Sequence, residues 1–218
     1  MITVQLSSNR TQTETVRPPR ALYCNFPLGR PLGKPSDAAY QRRVLDAAFA
    51  LLDRMSGPVL EDFPETIEGE GDHPLECTLP PYRDPWLPRA VDEAIGLRPA
   101  YDRQLAATGR TVVGKLFSAD QVPEVVAAFV RIAEGEAPWE DLAKLGTPRL
   151  VAQDVRGYYE EAAMALADHV PAANQTDAWF FLKTAAGEAL RKTALRMRDA
   201  GAPQSDWGFI VPRQYLEA

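Results

Sequence analysis

The run from Phe26 to Pro35, Phe-Pro-Leu-Gly-Arg-Pro-Leu-Gly-Lys-Pro, carries the densest chemical signal in the chain. Gly29 and Gly33 let a backbone turn sharply and approach a ligand closely. Arg30 and Lys34 supply donors for a carboxylate or phosphate near the N-terminus of the helix that follows. The run lacks the Gly-Lys-Ser/Thr ending of a Walker A loop and the spacing of a Gly-x-Gly-x-x-Gly fingerprint. It reads either as an anion-binding loop or as a rigid surface loop with solvated charges. Cys24 precedes it. A thiolate there is a nucleophile if Arg20 or Arg30 lowers its pKa; the other reading is an inert core thiol. Alternation of Tyr23 and Cys24 along a strand favours the core. His73, with Glu68, Glu70, Asp72, Glu76 and Cys77, has metal-ligand residue types, but no closed zinc spacing, and reads better as a solvated acidic linker. Further on, Asp154, Tyr158 and Glu161 share one helix face, where they line a pocket or form a rim packed on a neighbour. Lys183, one turn past Trp179, is placed to meet an anionic ligand or Asp154. The candidate catalytic residues are thus Cys24, Asp154 and Tyr158. The candidate ligand-binding residues are Arg20, Phe26, Gly29, Arg30, Gly33 and Lys183. The sequence indicates no metal site and names no cofactor.

The elements that position these residues follow from periodicity. Ile2 to Leu6 alternates as a short strand, Ala21 to Asn25 is a second, and Val59 to Phe63 a third. Between the last two, Ser36 or Asp37 caps a helix whose apolar positions include Tyr40, Val44, Ala48 and Leu51. The order β-β-α-β is a fragment of an α/β layer fold, thin enough that part of its sheet is expected from another chain. Pro64 to Pro88 reads as a proline-rich connection. Helices are then expected over Arg89 to Ala107, with a weak point at Pro99, from Ser118 or Asp120 to Gly135, and over Leu150 to His169. A single long helix is expected from Thr176, with a buried stripe of Trp179, Leu182, Ala186, Leu190 and Met197. Phe209 to Val211 reads as a short strand returning to the sheet. The organisation expected is a partial α/β domain over 1–63, a linker over 64–88 and a mainly α-helical region over 89–218.

Composition narrows the function classes. With 218 residues, 45% apolar and 25% charged, the chain is long enough to bury a core without disulfide or metal staples. A net charge of −6 argues against nucleic acid as the main partner. The apolar runs are broken by charge well before a membrane span is reached, and the N-terminal residues lack the basic and apolar regions of a secretory signal. Two cysteines without a Cys-x-x-Cys fit a reducing, cytoplasmic setting. The 19 prolines gather in two stretches, 17–35 and 58–88, and make both loop-rich.

From Arg17-Pro18-Pro19-Arg20 through the Phe-Pro-x-Gly-x-Pro-x-Gly-x-Pro run to Gln41, and from Leu45 to Leu52, the sequence resembles the glycine/sarcosine/betaine/D-proline reductase selenoprotein B family and its selenium-free relatives. The match spans about residues 2–63, and is looser at Asp154–Glu161 and Trp179–Gly187. The resemblance implies reductive cleavage of a C–N bond in a small amino acid or amine. It also implies that the chain corresponds to the family's second half. The selenocysteine or cysteine segment is then expected on a partner chain that supplies the N-terminal half, and the protein is expected to be one subunit of a heteromeric reductase-like enzyme. The alternative from a different class is a non-catalytic scaffold or interaction subunit of a two-component complex.

Overall fold

The computed structural model describes residues 2–26, 30–67, 74–171 and 173–217, the side chain of Ala173 excepted. The chain divides into two compact units, Met1–Pro74 with His169–Gln175, and Leu75–Asp168 with Thr176–Ala218.

The first unit carries a three-stranded parallel sheet of order β1-β2-β3, with β1 at Gln5–Ser7, β2 at Arg20–Tyr23 and β3 at Val59–Asp62. Helix α1 (Arg10–Val16) joins the first two strands and α2 (Ala38–Ala50) the last two. The sequence order β-β-α-β therefore omits a helix. Arg10–Val16 has no apolar stripe, and only Thr13 is buried; its local signal is Asn9, whose side chain accepts the Gln12 N–H at 3.0 Å. Helix α2 follows its spacing. Asp37 accepts the Tyr40 N–H at 2.9 Å, and Tyr40, Val44, Ala48 and Leu51 are buried against Leu22, Cys24, Phe26 and Phe63. The Phe26, Tyr40 and Phe63 rings meet at centroid distances of 5.8 to 6.1 Å in tilted and edge-on pairs, the geometry ring quadrupoles favour.

Strand residues alternate faces, so the register assigns each helix to a side. Leu6, Leu22 and Phe63 face the α2 cluster. Ser7, Tyr23 and Asp62 lie on the other face and meet α1. There the Ser7 hydroxyl bonds that of Thr13, and Arg10 pairs with Asp62 at 2.7 Å and lies over the Tyr23 ring. Helix α1 thus meets the carboxyl-end residues of the strands, on the side away from the α2 cluster.

The second unit is helical: α3 (Arg89–Thr108), α4 (Val122–Glu134), α5 (Glu140–Leu145), α6 (Pro148–Leu166), α7 (Ala173–Lys183), α8 (Ala185–Asp199) and α9 (Gln204–Trp207). Its core joins Leu97 and Tyr101 of α3, Val126 and Phe129 of α4, Val155 and Tyr159 of α6, and Leu190 and Met197 of α8. Leu75, Cys77, Leu79 and Leu87 pack on this core. The proline-rich stretch after Pro74 is therefore part of the helical unit rather than a free linker.

Two further expectations change. The long helix expected from Thr176 is broken: Thr184 leaves helical geometry and its hydroxyl accepts the Gly187 N–H at 2.9 Å, capping a new helix. The chain can fold back this closely because a side chain at Gly187 would collide with the Phe180 carbonyl. The break shifts the phase, so Leu182 is 46% exposed while Trp179, Ala186, Leu190 and Met197 are buried. The tail strand is also absent among the described residues. Ile210 and Val211 insert into the helical core, Phe209 is 62% exposed, and the Ile210 N–H closes a turn on Trp207.

Candidate functional site

In an open parallel sheet, ligands bind beyond the carboxyl ends of the strands. Here β1 and β2 end side by side at Ser7 and Tyr23. A cavity of about 90 Å³ lies there, lined among the described residues by Leu6, Ser7, Ser8, Cys24, Phe26, Arg30 and Pro31. It exceeds a single water's share of about 30 Å³ several-fold, and is well below the roughly 300 Å³ at which drug-sized sites begin. It therefore suits a ligand of a few heavy atoms.

The loop residues separate around this cavity. Phe26 and Arg30 form part of its wall. Gly29 lies outside the described residues. Gly33 is not in the wall: its φ is +82°, and a Cβ would press into the Tyr40 ring, so this glycine serves the packing of α2. Lys34 places its Nζ 5.1 Å from the centre of the same ring. Arg20 stands at the other end of β2, about 13 Å from Cys24 along a strand rising roughly 3.3 Å per residue. Its Nε donates to the Arg54 carbonyl at 3.0 Å, with Nη2 on the same oxygen, so it ties β2 to the segment after α2 and does not reach the cavity.

Cys24 also walls the cavity, but in a form unsuited to thiolate chemistry. It is 3% exposed, and burial pushes its thiol up to about 11. The core reading of this residue fits that geometry; the lowering by Arg20 or Arg30 on which the nucleophile reading depends is not among the causes, burial alone setting the direction. Cys77, in the other unit, is likewise pushed up by burial to about 11, and its Sγ faces the Ala163 carbonyl at 3.7 Å. Glu68, Glu70, Asp72 and His73 lie outside the described residues. Among the described residues no group of three His, Cys, Asp or Glu side chains stands close enough to hold a metal ion.

In the helical unit the polar face of α6 is engaged in holding backbone. Asp154 is 1% exposed. One carboxylate oxygen accepts the N–H groups of Gly114 and Lys115 at 3.2 and 3.1 Å, the other those of Leu116 and Phe117 at 2.7 and 3.0 Å. Two turns on, Glu161 accepts the Val112 N–H at 2.7 Å. Both carboxylates clasp the segment that joins α3 to α4. The hydroxyl of Tyr158 donates to the Ala94 carbonyl at 2.8 Å, its ring stacks on Tyr101, and burial raises its pKa. The pairing of Lys183 with Asp154 does not form: Asp154 is held by amide groups, and Lys183 is exposed in the last turn of α7.

Carboxylates also fasten backbone at positions outside the candidates named from the sequence. Asp92 accepts the Arg83 and Asp84 N–H groups. Glu93, from α3, accepts the Ala185 and Ala186 N–H groups at the start of α8 at 3.0 and 3.3 Å, and the Tyr159 hydroxyl at 3.1 Å. Arg156 bridges Glu160 and Asp177 and lies over the Phe181 ring.

No family model, curated protein or solved structure matches the chain. Among the described residues no helix is long and apolar enough to cross a membrane. Among the described residues, the cavity at the ends of β1 and β2 is the candidate site of the α/β unit.

Proposed function

We propose that the chain is the ligand-binding subunit of a heteromeric reductase-like enzyme acting on a small amino acid or amine, with the redox residue carried by a partner chain. The observation that carries the reading is the small cavity beyond β1 and β2, walled by Arg30, the Ser7–Ser8 segment and the apolar surfaces of Leu6, Phe26 and Pro31. Its size admits a ligand of a few heavy atoms, and Arg30 among its lining residues is of the type that pairs a carboxylate in two parallel hydrogen bonds. Assignment of the redox step to a partner is supported by Cys24, which stays a thiol at neutral pH. The two unpaired cysteines, Cys24 and Cys77, support a cytoplasmic setting as part of this reading.

The second reading, a non-catalytic scaffold or interaction subunit, is favoured by the helical unit. There the candidate residues Asp154 and Tyr158 spend their polar atoms on backbone partners.

Titration calorimetry with glycine, its N-methylated derivatives and small amines separates the two. The reductase-subunit reading expects saturable binding that Arg30→Ala weakens about tenfold or more, the size of one charge-assisted contact, with the melting temperature nearly unchanged. Absence of binding to the chain, alone or with a co-purifying partner, leaves the scaffold reading.

A further inference from the structure

The helical unit holds a second and larger depression, where α4 and α8 both end. It measures about 710 Å³ and is lined by Ile132, Gly135, Glu136, Trp139, Arg196 and Asp199, among others. That is within the roughly 300–1,000 Å³ of small-molecule sites.

Arg196 is its organising residue. Its Nε donates to the Ala133 carbonyl at 2.8 Å, in the last turn of α4. Its two terminal amino groups lie beside Gly135, where a Cβ would stand 2.9 and 3.0 Å from them. Gly135 is also left-handed, at φ +83°, so glycine is required both by the turn that ends α4 and by the guanidinium seated against it. One hydrogen bond and one backbone surface thus fix the plane of the guanidinium. Three other arginines of this unit are taken up by acids: Arg98 by Asp102 and Asp120, Arg156 by Glu160 and Asp177, Arg198 by Asp199 and Glu217. The terminal amino groups of Arg196 have no such partner among the described residues. Asp199, which shares the depression, is engaged by Arg198 at 3.1 Å.

We infer that this depression binds a small organic carboxylate with a flat apolar body, the carboxylate taking the two terminal amino groups of Arg196 and the body lying against Trp139 and Pro138. A fixed guanidinium edge matches a carboxylate in two parallel hydrogen bonds. The apolar wall of Ala137, Pro138 and Trp139 gives no partner to a bare inorganic ion. This site belongs wholly to the helical unit and does not depend on the reading of the first unit.

The test uses the full chain with benzoate as probe, followed by calorimetry and by the Trp139 indole N–H resonance, assigned through Trp139→Phe. Saturable binding is expected, with a shift of that resonance on the same titration curve. Arg196→Gln, checked for an unchanged melt, weakens binding about tenfold or more, as expected for loss of a charged double hydrogen bond. Arg196→Lys, which keeps the charge and loses the fork, weakens it as well. If Arg196→Gln fails to fold, the indole shift in the unaltered chain decides. The inference is overturned if benzoate gives no saturable binding, if the Trp139 resonance stays still, or if a folded Arg196→Gln binds as the parent does. Inorganic phosphate binding as tightly as benzoate overturns the apolar half of the assignment.

Discussion

Replacing Asp154 tests whether the polar face of α6 is a clasp or a catalytic surface. In the parent, one carboxylate accepts four successive backbone N–H groups between Gly114 and Phe117, at 2.7 to 3.2 Å. A hydrogen bond to a charged acceptor contributes about 1.5–3 kcal/mol, so four independent bonds would sum to roughly 6–12 kcal/mol. That sum is too large. Each oxygen is shared by two donors, and Lys115 and Leu116 lie near enough to solvent for water to replace part of what is lost. About 3–5 kcal/mol is the expected cost of Asp154→Ala, the range for removing one partner from a buried charged network. Asp154→Asn keeps the shape but turns two amide hydrogens toward two of the donors, and is expected to cost about 2–4 kcal/mol. Urea denaturation measures the loss, and amide hydrogen exchange locates it, with residues 112–117 losing protection before the α3, α6 and α8 cores. Either variant melting within about 0.5 kcal/mol of the parent, with exchange over 112–117 unchanged, refutes the clasp.

Both cysteines are expected to alkylate slowly in the native chain, since a thiol pushed to about 11 leaves about one thiolate in 10,000 at pH 7. Iodoacetamide labelling should quicken with pH toward 11 and on unfolding, and rapid labelling of Cys24 at neutral pH contradicts its burial. Because the folded value lies above the ordinary 9, the stability these thiols lend is complete below pH 9 and is lost as pH rises toward 11. Burial likewise raises Glu93, against the pull of the Ala185 and Ala186 amides, the Tyr159 hydroxyl and Arg89. The folded state therefore holds the Glu93 proton longer than the unfolded one, and its contribution is largest below 4.5 and falls as pH climbs through the raised value. The penalty of Glu93→Gln should accordingly shrink between pH 4.5 and 7 in denaturation curves, and a penalty that grows over that interval refutes the assignment.

The parts of the fold that could be read from the sequence are those with an apolar stripe. Tyr40, Val44 and Ala48, or Val151, Val155 and Tyr158, mark a buried helix face at the spacing of the helix itself, and the strands at Ala21 and Val59 show β-branched and small residues between prolines. Helix α1 was hidden because its residues are polar on every side, and only the Asn9 cap speaks for it. The break at Thr184 was masked by apolar residues that continue on both sides. The cap and the close approach at Gly187 carry information the periodicity lacks. At the candidate site, Cys24, Phe26 and Arg30 could be grouped because they are close in the chain and follow a strand. The contribution of Leu6, Ser7 and Ser8 depends on the parallel pairing of β1 with β2, a long-range fact no local pattern contains. The task of Asp154 was equally out of reach, since its partners lie about 40 residues away and are backbone groups, which every sequence possesses.

The buried acids of the helical unit have a consequence for how the protein answers to salt. Asp92, Glu93, Asp154 and Glu161 are all at least nine-tenths buried, and each accepts hydrogen bonds from peptide N–H groups rather than from a Lys or Arg side chain. Their carboxyl groups are fastened by peptide dipoles in direct contact, inside the protein. Mobile ions weaken interactions through solvent over distances of about 8 Å at physiological ionic strength, and scarcely enter such contacts. The exposed pairs, such as Arg43 with Glu65 or Lys192 with Glu188, are the ones that salt reaches. The helical unit thus keeps its internal fastenings across a wide range of ionic strength, while the charges on its surface are free to change partners.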